Sequence, residues 1–147
     1  MAWIIPAETD VLTALSETEL ATYRAAALAN GQADPLAPTL AQVVDLVRGY
    51  VGAYKPNTLG LPGTIPQKLL APALDLIVVR LPQRVGVPPK EVRKAAADQA
   101  VRLLEQVAAG IFNIEEPVVP TDEVTAAPSP SIVARRRHFS PRQEEGV

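Results

Sequence analysis

The chain has 147 residues and a formal net charge of −2, and 48% of its residues are hydrophobic whereas only 4% are aromatic. It contains no cysteine and a single histidine, which excludes disulfides, thiolate catalysis and cysteine-ligated zinc. Strands favour aromatic side chains, which are scarce here, so we expect an all-α fold with a core of Ala, Leu, Val and Ile.

The sequence divides into a helical body over residues 1–110 and an extended, proline-rich C-terminal arm over residues 111–147. The body carries ten acidic and ten basic residues, whereas the arm lacks helical periodicity and contains five prolines. The arm has too little contiguous apolar sequence to fold alone. Because there is no basic signal-peptide segment and no apolar stretch of membrane-spanning length, we expect a soluble protein made in the cytoplasm, with no membrane partner.

Two short helical stretches open the body. Residues 8–15 form the first, and Ser16 followed by Glu19 has the pattern of a capping box that starts the second, over residues 17–29. We therefore predict a first helix that is broken in two. Residues 30–38 are rich in glycine, proline and asparagine and predict a turn.

A long amphipathic helix is predicted after this turn. Apolar residues recur at helical spacing at Leu40, Val43, Val44, Val47, Val51 and Tyr54. Asp45 and Arg48 fall on the opposite, hydrated side. Residues 55–64 contain two glycines and two prolines, which predict an exposed loop with a tip free to contact a partner. We expect Thr64 to cap the helix that follows.

The helix predicted over residues 67–81 is apolar on two faces. A helix of this kind is either central in its own domain or packed against a neighbouring molecule. We predict that Leu74 and Ile77 belong to the core, and that Leu76 and Val79 lie at or near a contact between identical subunits.

A proline inside this helix and a glycine after the last helix of the body indicate where these two helices begin or end. Pro72 predicts either a kink or a helix that starts near residue 71. The last helix spans residues 90–110, with Gly110 at the position of a C-terminal capping glycine. Its predicted buried stripe consists of Val92, Ala96, Leu103 and Val107. The body is then a small bundle of about four main helices.

No arrangement of residues indicates a catalytic centre. His138 is the only histidine, so a metal there would need carboxylates alone for its other ligands. Glu115 and Glu116 are interpreted as a solvated acidic pair. The loop at residues 59–64 lacks the Lys-Ser/Thr ending of a phosphate-binding loop. We predict a protein that is not an enzyme and that uses neither a cofactor nor a metal.

The basic cluster of the arm allows two interpretations. Its arginines can neutralise phosphates of a nucleic acid, or they can pair with carboxylates of a protein partner while Phe139 acts as an apolar anchor. We favour protein docking. The predicted partner-binding residues of the arm are Arg135, Arg136, Arg137, His138, Phe139 and Arg142.

Three segments resemble the head-tail adaptor proteins of tailed phages, in particular the Mu-like head-tail joining family. They are DLVRGYVGAY at 45–54, RLLEQVAAGIFNI at 102–114 and the Arg-His-Phe-Ser element at 137–140. The resemblance implies a structural virion protein at the head-tail junction. It implies a homo-oligomeric, dodecameric ring that binds the portal protein and a stopper or tail-completion protein, while genome DNA passes through the channel without sequence-specific binding. The alternative is a small helical nucleic-acid-binding protein that uses its basic tail.

Overall fold

The computed structural model describes residues 3–118, and within this range the chain is all helical, as predicted. Five α-helices are present: α1 (Glu8–Ala14), α2 (Glu17–Ala29), α3 (Leu36–Ala53), α4 (Leu70–Arg84) and α5 (Glu91–Ala108). A 3₁₀ turn, Gln67–Leu69, leads directly into α4. Among the described residues, Ile4 and Ile65 form an isolated antiparallel β-bridge. The arm residues 119–147 lie outside them.

The predicted break in the first helix is confirmed and separates α1 from α2. Ser16 is extended, and its Oγ accepts a hydrogen bond from the backbone N–H of Glu19 at 3.2 Å. This bond satisfies one of the free donors at the start of α2. The change of direction places Leu15 and Leu20 in the core, at 2% and 1% exposure.

Helix α4 is the centre of the bundle, because α1, α3 and α5 all pack against it. Leu76 and Val79 are therefore buried within the single chain, at 5% and 9% exposure, in the same core as Leu74 and Ile77. Their burial accounts for the second apolar face of this helix, and it leaves them little surface for a neighbouring subunit. A helix that is apolar on two faces can be central in its own domain or packed against a neighbouring molecule. Helix α4 is central in its own domain.

Proline residues occupy both ends of α4. The helix begins at Leu70, so Pro72 lies in its first turn, where a backbone N–H would have no intrahelical acceptor. This matches the predicted start near residue 71. The helix continues to Arg84, three residues further than predicted, and includes Pro82, which has no N–H to donate to the carbonyl of Val78. The carbonyl of Pro82 accepts the N–H of Val87 at 2.9 Å and closes the helix.

The buried stripe of α5 differs from the predicted one. The structure buries Ala97, Ala100, Leu104 and Val107. The prediction was right for Val107 and wrong for Val92, which is 83% exposed. The observed stripe has the same helical period but is rotated, and its small alanines allow α5 to approach α4 closely. The C-terminal glycine was placed correctly: Gly110 has φ +77°, and the N–H of Ile111 bonds to the carbonyl of Gln106 at 2.9 Å.

One carboxylate ties α2 to the start of α5. Glu19 contacts Arg93 at 2.8 Å and Lys90 at 3.3 Å. The hydrogen bond from Arg93, with a further contribution from Lys90, lowers the pKa of Glu19 below its ordinary value, although partial burial opposes the shift. A carboxylate with a depressed folded-state pKa stabilises the fold above its unfolded pKa, and this contribution is lost as the pH falls.

Replacing Glu19 with glutamine should therefore lower the free energy of unfolding by up to about 1 kcal/mol at pH 7. The difference from the wild type should shrink below about pH 4.5 and vanish once the carboxyl is protonated in both states. Urea unfolding at a series of pH values measures this. Glu17→Gln is the matched control, since Glu17 is exposed on the same helix and belongs to none of the ion pairs within residues 3–118. A constant difference down to pH 2.5 would contradict the ion-pair origin.

Candidate functional site

The two ends of the described chain meet beside the loop at residues 55–64. The indole Nε1 of Trp3 donates a hydrogen bond to the backbone carbonyl of Glu115 at 2.8 Å. Next to it, Ile4 and Ile65 exchange two backbone hydrogen bonds of 2.9 Å. We call Trp3, Arg48, Gly60 and Glu115 the terminal clasp.

Arg48 holds the centre of the terminal clasp. From α3, its Nη1 donates to the carbonyls of Leu61 and Thr64 at 2.9 and 2.6 Å, and its Nη2 donates to the carbonyl of Gly60 at 3.1 Å. The guanidinium carbon lies 5.9 Å from the centre of the Trp3 ring, within the range of a cation–π contact. The planar guanidinium presents its donors in a fixed fork that fits three converging carbonyls, whereas the compact ammonium of a lysine lacks this geometry. Arg48 is therefore half-buried and structural rather than simply hydrated.

The Trp3 ring packs directly against the backbone of Gly60. A Cβ atom at this position would lie 2.7 Å from Cε3 of Trp3, closer than side chains approach one another. Glycine allows the backbone of the loop to touch the indole ring. The second half of the loop is therefore held between α3 and the N-terminal segment.

The 55–64 loop is largely exposed, as predicted, but its backbone is held in place. Its polar groups bond inward: Asn57 donates through Nδ2 to the carbonyl of Val51 at 3.2 Å. Thr64 is buried at 7% exposure, and its hydroxyl donates to the carbonyl of Leu61 at 2.6 Å, so it closes the loop and does not cap α4. Leu59 and Leu61 remain on the surface, at 44% and 63% exposure. The loop offers apolar side chains on a fixed backbone.

After α5 the chain continues as an extended segment, residues 111–118, which we call the C-terminal strap. Phe112 and Ile114 pack on the core, whereas Ile111 is 75% exposed. Glu115 is not part of a solvated pair. Its Oε2 accepts the backbone N–H of Lys68 at 3.4 Å, and its Oε1 is buried without a hydrogen-bond partner among the described residues. Glu116 is exposed. Hydrogen bonds thus attach the strap to the body as far as Glu115.

An open apolar groove of about 260 Å³ lies between the N-terminal segment and α3. We call it the α3 groove. Its lining includes Ile5, Leu40, Ala41, Val44, Asp45 and Gly63. Ile5 is 70% exposed. Among these residues Asp45 is the one that carries a charge.

The predicted site residues do not belong to the terminal clasp or to the α3 groove. Leu76 and Val79 lie in the core of α4. The predicted contact residues of the arm, Arg135, Arg136, Arg137, His138, Phe139 and Arg142, lie outside the described residues. Sequence reasoning missed the terminal clasp, in which Trp3 and Glu115 are 112 positions apart. The one signal that could have pointed to it is the single tryptophan so close to the N-terminus.

Within residues 3–118, no group of three or more His, Asp or Glu side chains is placed to hold a metal ion. No helix in the same range is long and apolar enough to cross a membrane. The fold and the terminal clasp define an all-α protein whose two extended ends are held together on a helical bundle. No protein-family model, curated protein or solved structure matches the chain.

Replacing Trp3 with phenylalanine should loosen the strap. Phenylalanine keeps a ring over Gly60 but removes the N–H that bonds to the carbonyl of Glu115. The loss of one such bond corresponds to about 1 kcal/mol, or roughly a fivefold change in an opening equilibrium. We expect chymotrypsin cleavage after Phe112, whose ring packs on the core, to accelerate about fivefold, measured by mass spectrometry.

Tyr50→Phe is the control for this prediction. Tyr50 also packs against the core, and its hydroxyl makes no hydrogen bond among residues 3–118. Cleavage of the strap should be unchanged in this variant. Equal cleavage rates in Trp3→Phe and in the wild type would show that the indole N–H does not hold the strap.

Proposed function

We propose that this chain is a structural subunit of the head-tail junction of a tailed phage. In this role identical copies form a ring that joins the portal to the stopper or tail, and genome DNA passes through its centre. The proposal starts from the resemblance of residues 45–54 and 102–114 to head-tail adaptor proteins. It requires a helical body and an arm that reaches other subunits.

The observation that carries the proposal is the way in which the arm leaves the body. The two body segments that carry the resemblance pack together at this point, since α3 contacts α5 and a Cβ at Gly110 would lie 2.6 Å from Cζ of Tyr54. The strap that follows Gly110 is then held by Trp3. An arm with a fixed base can transmit load between its partner and the body, whereas an arm with a loose base cannot.

The reach and chemistry of the arm agree with this role. Residues 119–147 span on the order of 100 Å when fully extended, at roughly 3.3 Å per residue. They carry the predicted portal-binding residues Arg135, Arg136, Arg137, His138, Phe139 and Arg142. Arginine pairs with carboxylates through two parallel hydrogen bonds, and an aromatic ring fills an apolar pocket, so the two together give directional anchoring.

Nucleic-acid binding by the basic tail is the second candidate. The observation that favours it is the run of three arginines at residues 135–137. The body does not add to it, because residues 1–110 contain equal numbers of acidic and basic residues. Generic nucleic-acid binding domains carry a basic excess. We therefore rank it below the adaptor role.

Truncation after Pro128 tests the function. The truncated chain should no longer co-sediment with rings of the portal encoded by the same phage, whereas the full-length chain should. A full-length variant with Arg135, Arg136 and Arg137 changed to glutamine is the matched comparison and should bind at least tenfold more weakly. Electron microscopy of the chain mixed with portal should show added ring density for the full-length protein.

A salt series separates the two candidates. Binding to phosphates weakens steeply with salt because counterions are released. Portal binding that survives the truncation would overturn the proposed role of the arm. Full-length protein that binds free DNA, loses this binding at high salt and never binds portal would establish the nucleic-acid alternative.

A further inference from the structure

We propose that the α3 groove is a docking site for residues 131–137 of the same chain, so that the basic part of the arm lies against its own body until a partner takes it up. This inference concerns the isolated subunit and goes beyond the adaptor role. It rests on the size, lining, charge and position of the groove.

The size and lining of the α3 groove suit short aliphatic side chains. Its volume of about 260 Å³ is below the range of roughly 300–1,000 Å³ that is typical of small-molecule pockets. Leu40 and Val44 from α3 and Ile5 from the N-terminal segment line it. Apolar surface left in water is unfavourable by about 25 cal/mol per Å². One or two branched side chains of an extended peptide would cover this surface.

The charge at the groove selects a basic neighbour for those side chains. Asp45 is exposed at the groove and belongs to none of the ion pairs within residues 3–118. No lysine or arginine of this range lines the groove. The occupant should therefore combine an aliphatic residue with a positive charge close to it in sequence. An acidic occupant would be repelled.

Residues 131–137 of the arm have this combination. Ile132 and Val133 precede the arginine run that starts at Arg135. In an extended chain, alternate residues point to the same side, so Val133 and Arg135 would face the groove together. Elsewhere in the arm, Val124 follows Asp122 and Glu123, and Val147 follows Glu144 and Glu145, so the acidic neighbours of both would meet Asp45 with like charge. Charge complementarity therefore favours residues 131–137.

The exit of the chain lies next to the groove. Val118 and Leu61 line one small cavity together with Trp3, and Gly63 of the same loop lines the α3 groove. The intervening residues 119–130 span up to about 40 Å when extended, at roughly 3.3 Å per residue. A short tether of this kind gives an effective concentration in the millimolar range. Binding within one chain is therefore favoured over binding to a second copy in dilute solution.

The test uses the full-length chain and two properties of its composition. The chain has no cysteine and a single tryptophan, so Ser140→Cys carries one acceptor dye and Trp3 is the only donor. We expect energy transfer from Trp3 to the dye to be efficient and independent of protein concentration. Asp45→Arg should increase the released fraction of the arm about fivefold, as expected for loss of one exposed ion pair.

Two further variants make the test specific: one exchanges the two opposite charges, and the other changes an exposed residue of α5. Combining Asp45→Arg with Arg135→Asp should restore the transfer. Asp98→Arg, an exposed change on α5, should leave it unchanged. Three results would overturn the proposal: transfer that is insensitive to Asp45→Arg, transfer that the charge exchange does not restore, or transfer that falls on dilution. The last would assign the groove to the arm of a second copy.

Discussion

Replacing Arg48 with methionine is expected to lower the free energy of unfolding by about 3 kcal/mol. Methionine preserves much of the aliphatic stem but removes the donors to the carbonyls of Gly60, Leu61 and Thr64. Hydrogen bonds from a charged donor contribute about 1.5–3 kcal/mol each, and water can replace only part of them because Thr64 is buried. Urea denaturation followed by circular dichroism measures the loss.

Two further variants separate the planar guanidinium from its charge. Arg48→Lys keeps the positive charge and N–H donors but lacks the fixed planar fork that matches the three carbonyls, so it should lose about half as much stability. Arg102→Met is the control: Arg102 is exposed on α5, and the change should stay within about 0.5 kcal/mol. If Arg48→Met and Arg102→Met were equally mild, the role of Arg48 in holding the loop would be wrong.

Replacing Gly110 with alanine should have a comparable effect, about 3 kcal/mol, for two separate reasons. Gly110 has φ +77°, a conformation that costs an L-residue about 1–2 kcal/mol. A Cβ would also lie 2.6 Å from Cζ of Tyr54, so this ring would have to move. Since the strap begins at this glycine, chymotrypsin should also cleave it faster after Phe112. Thermal or urea unfolding measures the first effect, and limited proteolysis measures the second.

Gly31→Ala is the matched control for the conformational part. Gly31 has φ +72° at the end of α2, but a Cβ there would meet nothing within 4 Å. Its cost should be about 1 kcal/mol. In a Tyr54→Ala background, the cost of Gly110→Ala should fall to that of Gly31→Ala, because the collision is gone. Equal costs of the two glycine replacements in the wild-type background would exclude the contact with Tyr54.

Together, these variants distinguish damage to the base of the arm from damage to the arm itself. Arg48→Met and Gly110→Ala act on the loop and the strap, whereas the arginine-to-glutamine variant at residues 135–137 leaves both intact. If the fixed base matters for the proposed adaptor role, a folded Gly110→Ala protein should bind portal more weakly although its arginines are present. Binding at temperatures below its unfolding transition measures this.

Local signals in the sequence predicted the helices well. The break at Ser16, the periodic face of α3 and the glycine after α5 depend on residues within one or two turns of each other. The capping bond from Glu19 to Ser16 and the positive φ of Gly110 confirm these predictions. Such features follow from backbone hydrogen bonding and steric limits, which act over short stretches of chain.

Predictions that depended on the neighbours of a helix were less successful. Leu76 and Val79 were assigned to a subunit contact because α4 is apolar on two faces, but the same pattern results when a helix is surrounded within one chain. For α5, the predicted stripe included the exposed Val92 and omitted Ala97, Ala100 and Leu104, which are buried. Periodicity predicts that a helix has a buried side; the partner determines which side it is.

By itself, the sequence determined the all-α class, the approximate extents of the helices, the break at Ser16 and the stop at Gly110, because these depend on local propensity and capping. Only the tertiary structure decided that α4 is central and that the 55–64 loop is held by Arg48. It also decided that Trp3 meets Glu115 across 112 positions of the chain. Contacts between distant residues form because packing the helices brings those residues together, and no local pattern encodes them.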